Sequence, residues 1–203
     1  MITIINYNMG NLNSVANMIK KIGYDARITS DYHEIERAEK LILPGVGAFD
    51  RGMENLQELC LIDAIKECVL VRGVPILGIC LGMQLMTNRS EEGILPGLSL
   101  IDAETKKFLL GDGYKVPHMG WNTVSIEKKS KLFYDMEDQE NRFYFVHSYY
   151  VHCSDAADVL CSTRYGITFT AMFEHKNIIG AQCHPEKSHK FGMQLLKNFV
   201  EMY

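Results

Sequence analysis

Val74-Pro75-Ile76-Leu77-Gly78-Ile79-Cys80-Leu81-Gly82-Met83-Gln84-Leu85-Met86 is the stretch from which the rest of this chain can be read. Residues 75–79 form an apolar run with the composition of a strand buried on both faces, and residues 83–86 read as a helix. Between them lies Gly78-Ile79-Cys80-Leu81-Gly82, the small-x-nucleophile-x-small pattern of a nucleophile elbow with cysteine at its centre. The glycines have a mechanical reason, since a side chain at 78 or 82 would collide across the turn. The helix that follows aims its N-terminal partial positive charge at the sulfur, which favours thiolate, and Leu81 N–H is placed as an oxyanion donor. This segment alone leaves one alternative open, a core thiol beside a tight strand-to-helix turn.

Outward from that strand the first half alternates strand and helix. Residues 2–5, 26–29 and 40–43 read as strands, and residues 12–22 carry apolar side chains at helical spacing (Leu12, Val15, Ala16, Ile19, Ile22) closed by Gly23. Amphipathic segments cover 50–60 and 61–72. Such alternation predicts a parallel sheet with helices on both faces. Beyond about residue 95 the pattern becomes short, closely spaced strands at 123–126, 143–150, 159–163, 169–173 and 178–183. A last helix runs through Met193, Leu196, Phe199 and Val200. The expected fold is α/β, with a mainly parallel central sheet flanked by helices and extra short strands in the second half. No linker or repeat divides it, so residues 1–203 are read as one domain.

Composition narrows the function. The chain has 47% hydrophobic and 23% charged residues, ordinary for a globular protein and incompatible with disorder. Its longest apolar stretch, residues 74–86, is broken by glycines and falls short of the roughly 18 residues a membrane span needs. The N-terminus lacks a basic region and a small-residue cleavage site, so a cytoplasmic protein is expected. A net charge of -4 with interspersed signs gives no basic footprint for nucleic acid or an anionic membrane. The six cysteines (60, 68, 80, 153, 161, 183) contain no Cys-x-x-Cys pair, which argues against a zinc ribbon or a thioredoxin-type site.

A nucleophile needs a base, and the base needs an orienter. Gly180-Ala181-Gln182-Cys183-His184-Pro185-Glu186 supplies both at the end of another buried strand. In an extended segment residues two apart face the same side, so His184 and Glu186 can pair there. A surface ion pair is the other reading of His-x-Glu. A metal reading with His184, Glu186 and His189 lacks a fourth ligand, and neither a metal nor a cofactor is expected. Pro44-Gly45-Val46-Gly47-Ala48-Phe49 fails as a dinucleotide fingerprint, because Asp50 stands where the third glycine belongs. It is either a strand-end turn or a flexible loop bringing a second backbone N–H toward the cysteine. Two polar-aromatic clusters, residues 117–122 and 144–150, suggest a binding face without specifying chemistry.

Together the elbow, the Gln182-Cys183-His184-Pro185-Glu186-Lys187-Ser188 segment and the Pro44–Gly47 loop resemble the class I (triad) glutamine amidotransferases. Within them, His118-Met119-Gly120-Trp121-Asn122 and Phe145-Val146-His147-Ser148-Tyr149 are similar to signatures of the glutaminase subunits of imidazole glycerol phosphate synthases, over essentially the whole chain. The resemblance implies a catalytic triad of Cys80, His184 and Glu186, with an oxyanion hole from the backbone of Leu81, Val46 and Gly47. It implies that Gly45, Gln84, His147 and Ser148 hold the L-glutamine substrate. Asn11, Trp121, Asn122, Tyr144 and Lys187 would face a (β/α)8-barrel synthase partner that receives ammonia. Asn6-Tyr7-Asn8, Cys183 and residues 188–192 depart from the family's usual pattern. They leave room for a paralogue that serves a barrel synthase acting on a surface-polysaccharide sugar. A peptidase built on the same elbow, or a catalytically silent binding module, are the remaining alternatives.

Overall fold

The computed structural model describes every residue except Asp112, Glu137, Asp138 and Gln139. Its chain order is β1 (Ile2–Ile5), α1 (Leu12–Lys21), β2 (Ala26–Thr29), α2 (Tyr32–Glu36), β3 (Lys40–Gly45), α3 (Phe49–Glu58), α4 (Leu61–Lys66), β4 (Ile76–Cys80) and α5 (Leu81–Leu85). There follow β5 (Arg89–Ser90), β6 (Ala103–Lys107), β7 (His118–Thr123), β8 (Ser125–Ile126), β9 (Arg142–His147), β10 (Tyr149–Cys153), β11 (Val159–Tyr165), β12 (Ile167–His175), β13 (Ile178–Ala181) and α6 (His189–Met202).

The large sheet has the order β2-β1-β3-β4-β13-β12-β10-β6-β5, with β11 beside β12 and β8 beside β11. From β2 to β13 every neighbour is parallel, and from β13 through β6 the pairing is antiparallel. The apolar runs explain the parallel half, because alternate side chains enter different cores. Leu41 and Leu43 of β3 pack with Leu56 and Ile65 of α3 and α4 on one face, while Ile42 packs with Ile19 of α1 and Leu196 and Phe199 of α6 on the other. Gly23, at φ 95°, closes α1 as expected. Its N–H bonds Lys20 O, and Tyr24 N–H reaches back to Ile19 O.

Several expected elements differ in detail. The 61–72 helix is α only to Lys66 and then widens into a π turn over Glu67–Val71, which lets the sequence neighbours Cys68 and Val69 both face inward. The 143–150 strand is two strands in two sheets: β9 pairs with β7, and β10 enters the large sheet after a bend at Ser148. Phe143, Phe145, His147, Val151 and Cys153 are all buried, so the inward alternation keeps its phase across the bend and periodicity gives no sign of it. The 123–126 strand likewise splits into the end of β7 and the short β8. The charge-rich β6 and short α2 and β5 were not expected from the sequence, since none carries an apolar face of any length.

Register brings the two candidate segments together. In the parallel pair β4 and β13, Gly78 lies opposite Gly180 and Ile79 opposite Ala181, so the chain leaving β13 toward His184 emerges beside Cys80. The turn there is tight: a β-carbon on Gly82 would stand 1.7 Å from Leu43 O, which is backbone and cannot move aside. Gly82→Ala is therefore expected to lower unfolding stability by about 3 kcal/mol. Gly111→Ala, where an added β-carbon meets nothing within 4 Å, should change it by less than about 0.5 kcal/mol. Urea unfolding of both variants checks the difference.

Candidate active site

Cys80 sits at the junction of β4 and α5 with φ 54° and ψ -109°, a conformation that side-chain-bearing residues rarely hold. This is the strained elbow the sequence predicts, and it presents the thiol at the N-terminus of α5. Sγ lies 3.8 Å from Val146 O and 3.8 Å from Nε2 of Gln182. Cys80 is 7% exposed, at the floor of a cavity of about 260 Å³.

The histidine follows β13. His184 Nδ1 is 2.8 Å from Glu186 Oε1, and both side chains are 2% exposed, which removes the surface-ion-pair reading. The geometry differs from the extended form expected. His184 is extended, but Pro185–Lys187 is a 3-10 turn opening on proline, where a missing N–H costs nothing, and the pair closes across it. His184 N–H donates to Tyr144 O, and Ser188 Oγ donates to His184 O while accepting Tyr144 N–H, so β9 braces the turn. His184 Nε2 is buried without a hydrogen bond of its own, as is Glu186 Oε2. Burial alone would push the His184 pKa down, but the Cys80 sulfur and then the Glu186 carboxylate outweigh it and raise it to about 9.

The cavity brings together most of the expected residues. Val46, Gly47 and Leu81 line one side with Gln84, and His147 and Ser148 line the other. Gly45 is not among the lining residues; a β-carbon there would meet Tyr7 Oη at 2.2 Å and Leu81 Cβ at 2.9 Å, so β3 packs closely on that ring and on α5. Gln84 is committed inward, its Nε2 donating to Tyr149 O (3.2 Å) and to Gln182 Oε1 (3.0 Å). Three of the five residues expected to face a partner form a separate group. Trp121 stacks on His189 at 5.4 Å, Tyr144 lies edge-on to Trp121, and Lys187 Nζ is 5.9 Å from the Tyr144 ring. Asn122 Nδ2 bonds Arg164 O and His118 Nε2, and Asn11 is the exposed N-cap residue just before α1.

The sequence reading missed four contributors. Glu92 lines the cavity and accepts Phe49 N–H at the start of α3; burial raises its pKa, partly offset by that N–H. It stands in an ordinary charged loop, and only the fold reveals it. Tyr149 supplies the carbonyl that Gln84 and His147 both bond. Gln182 touches the sulfur, and its place in the His184 segment was the available signal. His118 stands behind His147, with Nδ1 2.9 Å from its Nε2. Because Tyr149 O can only accept, His147 Nδ1 carries its proton. His147 Nε2 is then bare, and His118 Nδ1 donates to it.

That neutral histidine pair has a stability signature. Burial lowers the pKa of His118 to about 4 and that of His147 to about 3. Below an unfolded value of about 6.5 the unfolded chain therefore binds protons the native state refuses, and stability falls as pH drops from there toward 4. His184 works in the opposite sense, its contribution being complete below about pH 6.5 and lost as pH rises through its raised value. Urea midpoints measured from pH 4 to pH 9 should peak between these limits. His118→Gln should flatten the acid limb by on the order of 1 kcal/mol per pH unit, while His184→Gln should flatten the alkaline one.

Known proteins resemble this chain along its whole length. The family description "Glutamine amidotransferase class-I" matches residues 3–202. The imidazole glycerol phosphate synthase subunit HisH 2 of Methanococcus maripaludis is 56% identical over 201 residues, covering 99% of each chain. The protein of the same name from Pseudomonas aeruginosa is 50% identical over 202 residues, covering 100% of each. A crystal structure of a glutamine amidotransferase, 16% identical, superposes with a TM-score of 0.75 over 99% of this chain and 98% of the other, which supports the fold.

Proposed function

The chain belongs to the class I glutamine amidotransferase family, and we propose that it is the glutaminase subunit of an imidazole glycerol phosphate synthase, supplying ammonia for histidine biosynthesis. The observation that carries the reading is that His184, paired with a buried Glu186, lines one small cavity together with Cys80. One amidotransferase domain over residues 1–203 does this work. Glutamine enters with its α-ammonium toward the Glu92 carboxylate and its backbone end against the Ser148–Tyr149 bend, leaving the side-chain amide over Cys80.

The Cys80 thiolate attacks the amide carbon, and the oxygen that becomes negative is held by Leu81 N–H and by a backbone N–H of the Val46–Gly47 loop. His184 passes its proton to the departing nitrogen, the C–N bond breaks, and ammonia leaves a γ-glutamyl thioester on Cys80. Water then attacks that carbon while His184 takes its proton. The C–S bond breaks, glutamate is released and the thiolate returns. Glu186 holds the imidazole and stabilises its charged form.

Ammonia passes to a (β/α)8-barrel synthase that docks on the face marked by Trp121, Asn122, Tyr144, Lys187 and Asn11. No helix among the described residues is long and apolar enough to cross a membrane, and we place the complex in the cytoplasm. A second reading, a paralogue feeding a barrel synthase that aminates a surface-polysaccharide sugar, draws on the departures at Asn8, Cys183 and His189. Its glutaminase chemistry is the same, and assays with the two acceptors separate the readings.

Cys80→Ala should abolish glutamine-dependent product formation, by roughly 10⁴-fold or more, while the complex still uses added ammonium salt. Loss of both activities would overturn the division of labour. Glu186→Gln should be about 10²-fold milder in kcat than His184→Ala, because an orienter assists the base without replacing it. Steady-state kinetics of the two variants in the complex provide the comparison.

A further inference from the structure

We propose that Gln182 is a further catalytic residue of this site, a buried amide whose N–H is aimed at Cys80 Sγ and stabilises that sulfur whenever it carries negative charge. The proposal rests on the glutaminase reading for its reaction, and on geometry alone for the sulfur contact.

The direction of the amide follows from its neighbours. Tyr149 O is a backbone carbonyl and can only accept, so the side-chain atom of Gln84 at 3.2 Å from it must be nitrogen. That same nitrogen lies 3.0 Å from the Gln182 side chain, which must therefore present its oxygen. The other end of the Gln182 amide is then nitrogen, 3.8 Å from Sγ. Gln182 is fully buried, and its main chain is pinned through N–H to Ala171 O at 2.9 Å, so the amide has no solvent to turn toward. Two glutamines and one carbonyl thus fix a donor on the nucleophile.

The contacts of Sγ suit both of its states. As a thiol it has Val146 O at 3.8 Å to donate to, and as a thiolate it has Gln182 N–H to accept from. A hydrogen bond to an ionised partner is about twice as strong as a neutral one, and in a buried site the difference between the two states grows. The donor therefore acts before attack and again when the thioester C–S bond breaks and the electron pair returns to sulfur. Gln182 is absent from the cavity lining, so its contact with the sulfur predicts an effect on kcat with KM nearly unchanged.

The test uses Gln182→Met, which removes the donor at similar volume, and Gln182→Glu, which sets an oxygen against the sulfur. Iodoacetamide labelling is followed at the Cys80 peptide by mass spectrometry, at neutral and at strongly alkaline pH. Labelling of the Met variant should be about tenfold slower than native at neutral pH, slower still in the Glu variant, and equal to native in alkali, where the thiolate forms without help. In the complex, kcat for glutamine should fall by a similar factor with KM within about twofold. Native labelling rates at neutral pH in the Met variant would overturn the proposal. So would a deficit that persists in alkali, since that reports lost folding or access. If labelling changes as expected while the native complex hydrolyses no glutamine, the sulfur contact stands and the proposed function fails.

Discussion

Gly82 approaches the carbonyl of Leu43 so closely that a β-carbon would stand 1.7 Å from its oxygen, and the geometry around Cys80 follows from that approach. With α5 seated this deeply on β3, the chain must reverse direction at residue 80, and it does so through a positive φ on a non-glycine residue. The strain is held by packing on both sides. Gly78 leaves room for Met86 and Met83, and Gly180 across the parallel pair leaves room for Phe173 and Met83. An elbow of this kind costs about 1–3 kcal/mol locally and persists because the buried sheet around it has no alternative arrangement.

The buried polar groups are consistent with one another in a way that separate hydrogen bonds would not require. Tyr149 O accepts from His147 and from Gln84, and those two bonds fix the protonation of His147 and His118 on one side and the amides of Gln84 and Gln182 on the other. A connected network runs from Asn122 through both histidines to Tyr149 O, where donors from His147 and Gln84 converge, and on through Gln84 and Gln182 to the sulfur. Such a network stabilises only when each member is satisfied, and burial keeps both histidines neutral so that it remains so. The His184–Glu186 pair is tuned the other way, with negative partners that favour the charged ring.

How much of the site could be read in advance varies by residue, and the reason is distance along the chain. Cys80 with its glycines, and His184 with Glu186, are local patterns whose chemistry depends on neighbours within a few positions. Glu92 looks like any loop carboxylate until α3 and the cavity are placed beside it. The close packing of Gly45 on Tyr7, a ring nearly forty positions away, is likewise invisible along the chain. The bend at Ser148 keeps the inward alternation of β9 and β10 in phase, so no periodic signal could reveal that one apparent strand serves two sheets.

From its sequence alone this protein has a buried, largely parallel first half, a strand-to-helix turn carrying cysteine, and a histidine two residues before a glutamate, because apolar period, glycine sterics and proline act locally. The fold alone decides that these segments meet. The β4–β13 register sets His184 beside Cys80, the 3-10 turn at Pro185 closes the pair, and the carbonyl of Tyr149 orients amides and imidazoles drawn from four distant segments. Hydrogen-bond direction and burial are properties of the assembled neighbours, and no single stretch of sequence contains them.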